Sequence, residues 1–368
     1  MLAYYILCLL PLVVCGLEQN HGIVIKMNDD RKTTNALGLS FFFFILTLLL
    51  ALRSIDCGVD LKNYKYYFNS YGNMSFRELV DVNRNYDVEI GFRLFVKVLQ
   101  VVSNDFQWFI AATAVLSVLP IWWLYKKNNA ASALTIVLFL SVAPFSLYFS
   151  GIRQVLAMAF AVPAYQFSKK RKKTGFILSV LLATLFHQSA FIMLLLYPVY
   201  RAKITKKWLY AVVPFMIVVY VFNEPIFNWL LRFLVGTRYE TYTMARTGAY
   251  GMLLLLAAFS AIAIFVTSDS DKALSDEIIG QRNILLLSTC LQFFVPLSTV
   301  AMRMNYYYMI FIPMIIPKLL NSSSKRHWDA ARLIYVVMTM FFLANFIKSM
   351  YTSADILQVF PYIPFWQE

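Results

Sequence analysis

The sequence predicts an all-α, polytopic integral membrane protein, and three observations predict it. Of 368 residues, 60% are hydrophobic and only 14% are charged, against about 25% charged in soluble domains. The mean hydropathy is +0.63. Apolar stretches near the roughly 20 residues that a bilayer requires recur along the whole length. Residues 1–368 therefore read as a single transmembrane domain rather than a soluble domain with an anchor.

The expected spans are 1–17, 36–52, 106–125, 132–149, 151–168, 208–222, 250–267, 283–301, 304–320 and 332–350, about ten full crossings. "VVCG" at Val13–Gly16 has the look of a lipoprotein cleavage site, but no basic n-region precedes it, so 1–17 is expected to be retained as a span.

A net charge of +14 would suggest nucleic acid in a soluble protein. Here the positive residues fall in short loops between apolar runs: Lys126-Lys127, "KKRKK" at 169–173, "RAKITKK" at 201–207 and Lys325-Arg326. Such loops mark the cytoplasmic face, so no nucleic-acid partner is expected. The basic clusters would at most hold anionic membrane lipids. With residues 18–35, 126–131, 169–174, 201–207, 268–282 and 321–331 inside, these segments and their edges hold 20 of the 33 Lys and Arg.

The interval 174–200 lies between two of those basic clusters, and its 27 residues are too few for two crossings. A pair of short helices that enter and return is expected, bending near "FHQSA" (Phe186–Ala190). Non-helical backbone is tolerated at that depth only where protein or a water-filled cavity surrounds it. The outside then receives 53–105, the turn near Gly151, the loop 223–249 and the tail from Tyr351. Within 53–105, Val88, Phe92, Phe95, Val96 and Leu99 recur at helical spacing, which predicts an external amphipathic helix at the outer interface.

Against this background "SGIRQVLAM" (Ser150–Met158) is anomalous, because it sets Arg153 beside Gln154 in a segment otherwise suited to lipid. An Arg at mid-helix costs about 2.5–3.5 kcal/mol on insertion scales, which makes it a functional candidate. The expected topology moves Arg153 to the outer surface, with Arg53 and Arg303 at other span ends on the same side. Guanidinium groups suit bidentate recognition of phosphate oxygens. Three of them at one outward face would hold an anionic headgroup such as a polyprenyl diphosphate.

His187 stands among apolar residues at the expected bend, able to act as a general base or to donate to a phosphate. Asp56, Asp60, Asp87 and Glu89 are external carboxylates suited to deprotonating or binding a sugar hydroxyl, and Tyr64 is suited to stacking on a sugar ring. Four cysteines form neither a disulfide framework nor a zinc spacing. No metal-ligand pattern is present in an external loop; "DSD" at Asp269–Asp271 falls inside. No phosphate-binding loop or dinucleotide fingerprint appears, so neither a metal nor a cofactor is expected.

These pieces, in this order, resemble the EpsG family of Wzy-type polysaccharide polymerases. The similar stretches are "LRSIDCGVDLKNY" (52–64), "EIGFRLF" (89–95), "GIRQVLAMAF" (151–160), "LLATLFHQSAFIMLLLYP" (181–198), "AMRMNYYY" (301–308) and "FPYIP" (360–364). The first departs from the family pattern, which usually has a Gly soon after the Arg and one Asp before the Tyr, so Asp56 and Asp60 compete for one role.

The resemblance implies a metal-independent glycosyltransferase of GT-C-like architecture in the bacterial plasma membrane. It would join polyprenyl-diphosphate-linked repeat units at the outer face into exopolysaccharide, capsule or O-antigen. Arg153 and Arg303 match the diphosphate-binding boxes. His187 would be the base or a further diphosphate contact, with Asp60 and Glu89 as the catalytic carboxylates. Arg53, Asp56, Tyr64, Gln154, Ser189, Tyr306, Tyr307 and Tyr362 would bind substrate. Partners would include chain-length regulators and flippases of the same pathway.

The rival readings are a lipid-linked oligosaccharide flippase, a single-sugar GT-C enzyme and an O-antigen-ligase-like enzyme. Alternating access favours internal repeats and Gly- or Pro-broken helices. No repeat between halves is visible, and glycine is only 12 of 368 residues.

Overall fold

A computed structural model describes residues 1–21, 36–81, 86, 88–128, 132–203, 206–234, 250–268, 276–321, 328–352 and 357–367. Asp87, Asp269–Asp271, His327 and residues 235–249 of the expected external loop lie outside them. Among the described residues the fold is all-helical, without named strands. Helices α1 (Leu2–His21) and α2 (Leu37–Ala51) lead into three shorter helices, α3 (Leu61–Gly72), α4 (Phe76–Leu79) and α5 (Ile90–Val102). Then follow α6 (Phe106–Lys127), α7 (Ala133–Ser141), α8 (Leu147–Ser150), α9 (Ile152–Ala159), α10 (Ala161–Lys169) and α11 (Lys173–Thr184). A 3-10 stretch (Gln188–Leu195) precedes α12 (Leu196–Arg201), α13 (Lys206–Val221), α14 (Asn223–Leu234), α15 (Tyr250–Ser268) and α16 (Asp276–Gln292). The chain closes with α17 (Thr299–Met309), α18 (Ile312–Asn321) and α19 (Trp328–Thr352).

Among the described residues, three helical stretches are long and apolar enough to cross a membrane: Phe106–Lys127, Asp276–Leu297 and Asp329–Tyr351. The first shows why. Asp105 caps it by accepting the Gln107 N–H at 2.9 Å. Its 22 residues reach roughly 33 Å at 1.5 Å per residue. Lys126 and Lys127 fold back over the Trp122 and Trp123 rings at 4.9 and 4.3 Å, the amphipathic arrangement of an interface.

Several expected spans are instead broken, and proline is the physical reason. A proline lacks the N–H that bonds the carbonyl four residues earlier, and its ring collides with that carbonyl. The helix ends at Ala159 ahead of Pro163, at Gln292 ahead of Pro296 and at Met309 ahead of Pro313. The expected single spans 151–168 and 304–320 are thus each two helices. The expected span 283–301 is a helix that begins at Asp276 and stops inside it. The 132–149 stretch likewise ends its main helix at Ser141, just before Pro144. Asn223–Leu234, expected as loop, is helical.

Helices α3, α4 and α5 form a small bundle of their own. Leu61, Phe68, Leu79, Phe92 and Val96 are fully buried there, against Phe109 of α6 and Ile152 of α9. The amphipathic α5 buries its apolar stripe in this bundle rather than only resting on an interface. The tail 357–367 is clasped onto residues 52–59: Ser54 N–H donates to Ile363 O (2.8 Å), Phe365 N–H to Leu52 O (2.9 Å) and Val59 N–H to Leu357 O (3.1 Å).

One glycine makes this loop possible. Gly58 has φ +135°, and a Cβ there would lie 2.1 Å from the Phe149 carbonyl oxygen. Gly58→Ala is therefore expected to destabilise the protein by at least about 1–3 kcal/mol, read as a fall in thermal midpoint in detergent. Gly16→Ala, where nothing lies within 4 Å, serves as the control and changes stability by less than about 1 kcal/mol.

Candidate active site

Four segments distant in sequence meet around Arg153. Its helix, α9, starts after Gly151, and Arg153 lies in the first turn, where the main-chain N–H groups have no helical acceptor. The Arg153 N–H is taken by the Tyr64 hydroxyl of α3 at 3.3 Å. The side chain pairs with Glu89, Nη1 to Oε2, at 2.6 Å. The other Glu89 oxygen, Oε1, accepts the Gln188 N–H at 3.1 Å. Glu89 is also the cap residue of α5, so a single carboxylate ties α5, α9 and the bend after α11 together. Gly91 permits the approach: its N–H donates to Leu185 O at 2.8 Å, and a Cβ there would lie 2.6 Å from that same oxygen.

The bend itself is made by His187. Its extended backbone caps the 3-10 stretch, and its Nδ1 accepts the Ser189 N–H at 3.3 Å. The Ser189 hydroxyl is 2.7 Å from the same nitrogen and 3.3 Å from the Tyr307 hydroxyl. A nitrogen that accepts an amide hydrogen carries no proton, so the neutral ring holds its proton on Nε2. Burial first, then the nearby Arg153 and Arg303 charges, push the His187 pKa well below its ordinary value.

Arg303 arrives on α17. Gln154 Nε2 donates to the Arg303 carbonyl at 2.7 Å, joining α9 to α17, and the Tyr308 hydroxyl donates to Ile192 O at 2.7 Å, joining α17 to the 3-10 stretch. The Arg303 side chain itself is exposed. Arg153, Arg303, His187, Glu89, Tyr64, Gln154, Ser189 and Tyr307 thus form one neighbourhood, with Tyr306 on the same helix as Arg303.

The two competing aspartates part company. Asp60 accepts the Ser150 hydroxyl at 2.9 Å and so reaches the turn that starts α9. Asp56 pairs with Lys62 at 2.8 Å on the exposed surface. Arg53 and Tyr362 belong to the clasp. Arg53 is 1% exposed, donates to Tyr148 O at 3.3 Å and lies 5.8 Å from the centre of the Phe149 ring. The Tyr362 hydroxyl donates to Leu49 O at 3.0 Å. Ser150, Gly91 and Tyr308 were not singled out in the sequence, although they sit inside the stretches "SGIRQ", "EIGF" and "AMRMNYYY". Among the described residues no three His, Cys, Asp or Glu side chains converge to hold a metal ion.

The neighbourhood combines two guanidinium groups, one carboxylate and a neutral imidazole whose N–H has no partner among the described residues, a set suited to an anion beside a hydroxyl. The chain matches the EpsG family over residues 37–363. It belongs to that family. EpsG proteins are Wzy-like polysaccharide polymerases, and the match spans every segment of the site, from Tyr64 to Tyr307. No curated protein and no solved structure matches the chain.

The low His187 pKa has a consequence for stability. The unfolded chain takes up a proton at about 6.5, the ordinary value, while folded His187 resists it to lower pH. Stability is therefore complete above that pH and falls as the solution is acidified through and below it. The thermal midpoint is expected to decline on acidification, and His187→Gln to decline less steeply over the same window. Equal slopes for the two proteins would contradict the burial of a neutral ring.

Proposed function

We propose that this EpsG-family chain polymerises polyprenyl-diphosphate-linked oligosaccharide units at the outer face of the bacterial plasma membrane, yielding exopolysaccharide, capsule or O-antigen. The proposal includes a GT-C-like arrangement of spans and a re-entrant hairpin over 174–200 whose His187 tip faces outward. Chain-length regulators and flippases of the same pathway would be its partners.

One observation supports the diphosphate role most directly. Arg153 uses Nη1 on Glu89, while its buried Nε has no partner among the described residues. The Nε side of the guanidinium is the edge that grips two phosphate oxygens in parallel. With exposed Arg303 close by, the donor's diphosphate has two cations to stabilise the charge that develops on it as the glycan leaves. Tyr64, Gln154, Ser189, Tyr306 and Tyr307 would line the sugar-binding side. Asp60 would hold the turn that carries Arg153.

The test is the size and sidedness of lipid-linked glycan in cells carrying wild type, a deletion, Arg153→Ala or Arg303→Ala. Each arginine variant is expected to lose long chains by about 10- to 100-fold, the worth of a charge-assisted hydrogen-bond pair, with single units gathering on the outer leaflet. Arg153→Lys does not restore polymer, because an ammonium lacks the planar fork. Units gathering on the inner leaflet would identify a flippase instead. Unchanged chain length in both variants would remove the arginines from the site.

A further inference from the structure

We propose that Glu89, rather than His187, takes the proton from the acceptor hydroxyl, and that His187 serves as a neutral hydrogen-bond donor through Nε2. This assignment rests on the polymerase proposal and divides the labour within that site. In the transfer, an acceptor hydroxyl oxygen bonds to the donor's anomeric carbon as the bond from that carbon to the diphosphate oxygen breaks. The hydroxyl proton passes to a base, and the bonding pair leaves with the diphosphate.

His187 is poorly placed to be that base. Its Nδ1 lone pair already receives the Ser189 N–H, with the Ser189 hydroxyl 2.7 Å away. Its Nε2 carries the ring's proton and has no lone pair to offer. Exchanging the two tautomeric sites would set an N–H against the Ser189 N–H. What remains is a donor N–H beside two guanidinium groups, suited to a phosphate or sugar oxygen.

Glu89 has the opposite character. Among the described residues each oxygen makes one hydrogen bond, to Arg153 and to the Gln188 N–H, and each retains a further lone pair. Its side chain is 15% exposed, so the carboxylate is sheltered yet reachable. The guanidinium that holds it is the same one proposed to grip the diphosphate. Base and leaving-group cradle are thereby separated by the width of one guanidinium. A bound diphosphate also draws on the Arg153 charge, loosening its hold on Glu89 only when a donor is present. Neither aspartate has this placement: Asp60 is bonded to Ser150, and Asp56 is paired with Lys62 on the surface.

The experiment uses the purified full-length protein in lipid nanodiscs. Lipid-linked repeat units extracted from deletion cells are the transfer substrate, and undecaprenyl diphosphate is the binding probe. Glu89→Gln is expected to bind the probe within about 3-fold of wild type yet lose transfer by about 100-fold or more, in the range of general base catalysis. Added formate or acetate is expected to restore transfer to Glu89→Ala at least about 10-fold, more strongly with the more basic acetate, as general-base catalysis requires; a positioning role, which needs only a carboxylate against Arg153, would not follow that basicity. His187→Gln keeps an N–H donor and is expected to retain transfer within about 10-fold. Glu89 is overturned as base if His187→Gln abolishes transfer while Glu89→Gln sustains it. It is equally overturned if Glu89→Gln loses binding and transfer in proportion and rescue of Glu89→Ala does not follow the basicity of the added anion. Wild-type protein that joins no units at all overturns the polymerase proposal itself, and the base assignment with it.

Discussion

The contact between Arg153 and Glu89 is the one on which the rest of the site depends. Both side chains are largely shielded from water, 22% and 15% exposed, and their charged atoms are 2.6 Å apart. A pair in that environment is costly to break, because removing one partner leaves the other as an uncompensated charge. Glu89 therefore cannot drift from α9, and through the Gln188 amide it cannot drift from the bend either. Gly91 and Leu185 repeat the link one turn away. From Arg153 the chain of contacts continues through Gln154 to the Arg303 carbonyl and from Tyr308 back to the 3-10 stretch. Positions scattered from 89 to 308 are held together by a handful of polar bonds.

Such bonds are needed because this protein breaks its helices where a membrane protein ordinarily would not. Lipid offers nothing to a free N–H or carbonyl, so each interruption must be satisfied from within. Ser132, His187 and Ser298 do this by capping the segments that follow them. The breaks also let several short helices turn their polar ends toward one place. Away from the site the same elements are fastened again: Glu277 of α16 pairs with Lys169 of α10 at 2.7 Å and with Lys318 of α18. Between the two lies a buried ladder in which Ser288 donates to Asn305 and Asn305 to Gln292, both at 2.8 Å, locking α16 to α17. Helices that carry the site are thus tied at more than one level, which favours a pre-organised site over one assembled by large motion.

Much of this was legible in the sequence, and the limits were physical. Hydropathy located α6, α15 and α19 within a few residues, and helical spacing located α5. The composition departs from lipid-like character at Arg153, Gln154 and His187, and those residues do lie together in space. The helix breaks were less legible, although the prolines were in view. Pro120 sits inside α6 without ending it, so a proline marks a break only where the surrounding structure satisfies the carbonyl it frees. Long-range pairing was the other limit. Nothing in "EIGF" states that its carboxylate meets an arginine 64 positions later, and nothing in "SIDCGVD" states that Asp56 meets Lys62 while Asp60 meets Ser150. Arg53, which local sequence groups with the other arginines, is drawn under the C-terminal clasp by backbone bonds that residue types do not encode.

The side of the membrane on which the Arg153–Glu89 pair lies decides most directly whether this site is what it is proposed to be. Gln188 and Lys172 are both exposed, at opposite ends of the arm formed by α11. In intact cells, a membrane-impermeant maleimide should label Gln188→Cys, next to the bend, and should reach Lys172→Cys only after the membrane is opened. Labelling in the reverse pattern would put the arginines on the cytoplasmic side and contradict an outward-facing diphosphate site.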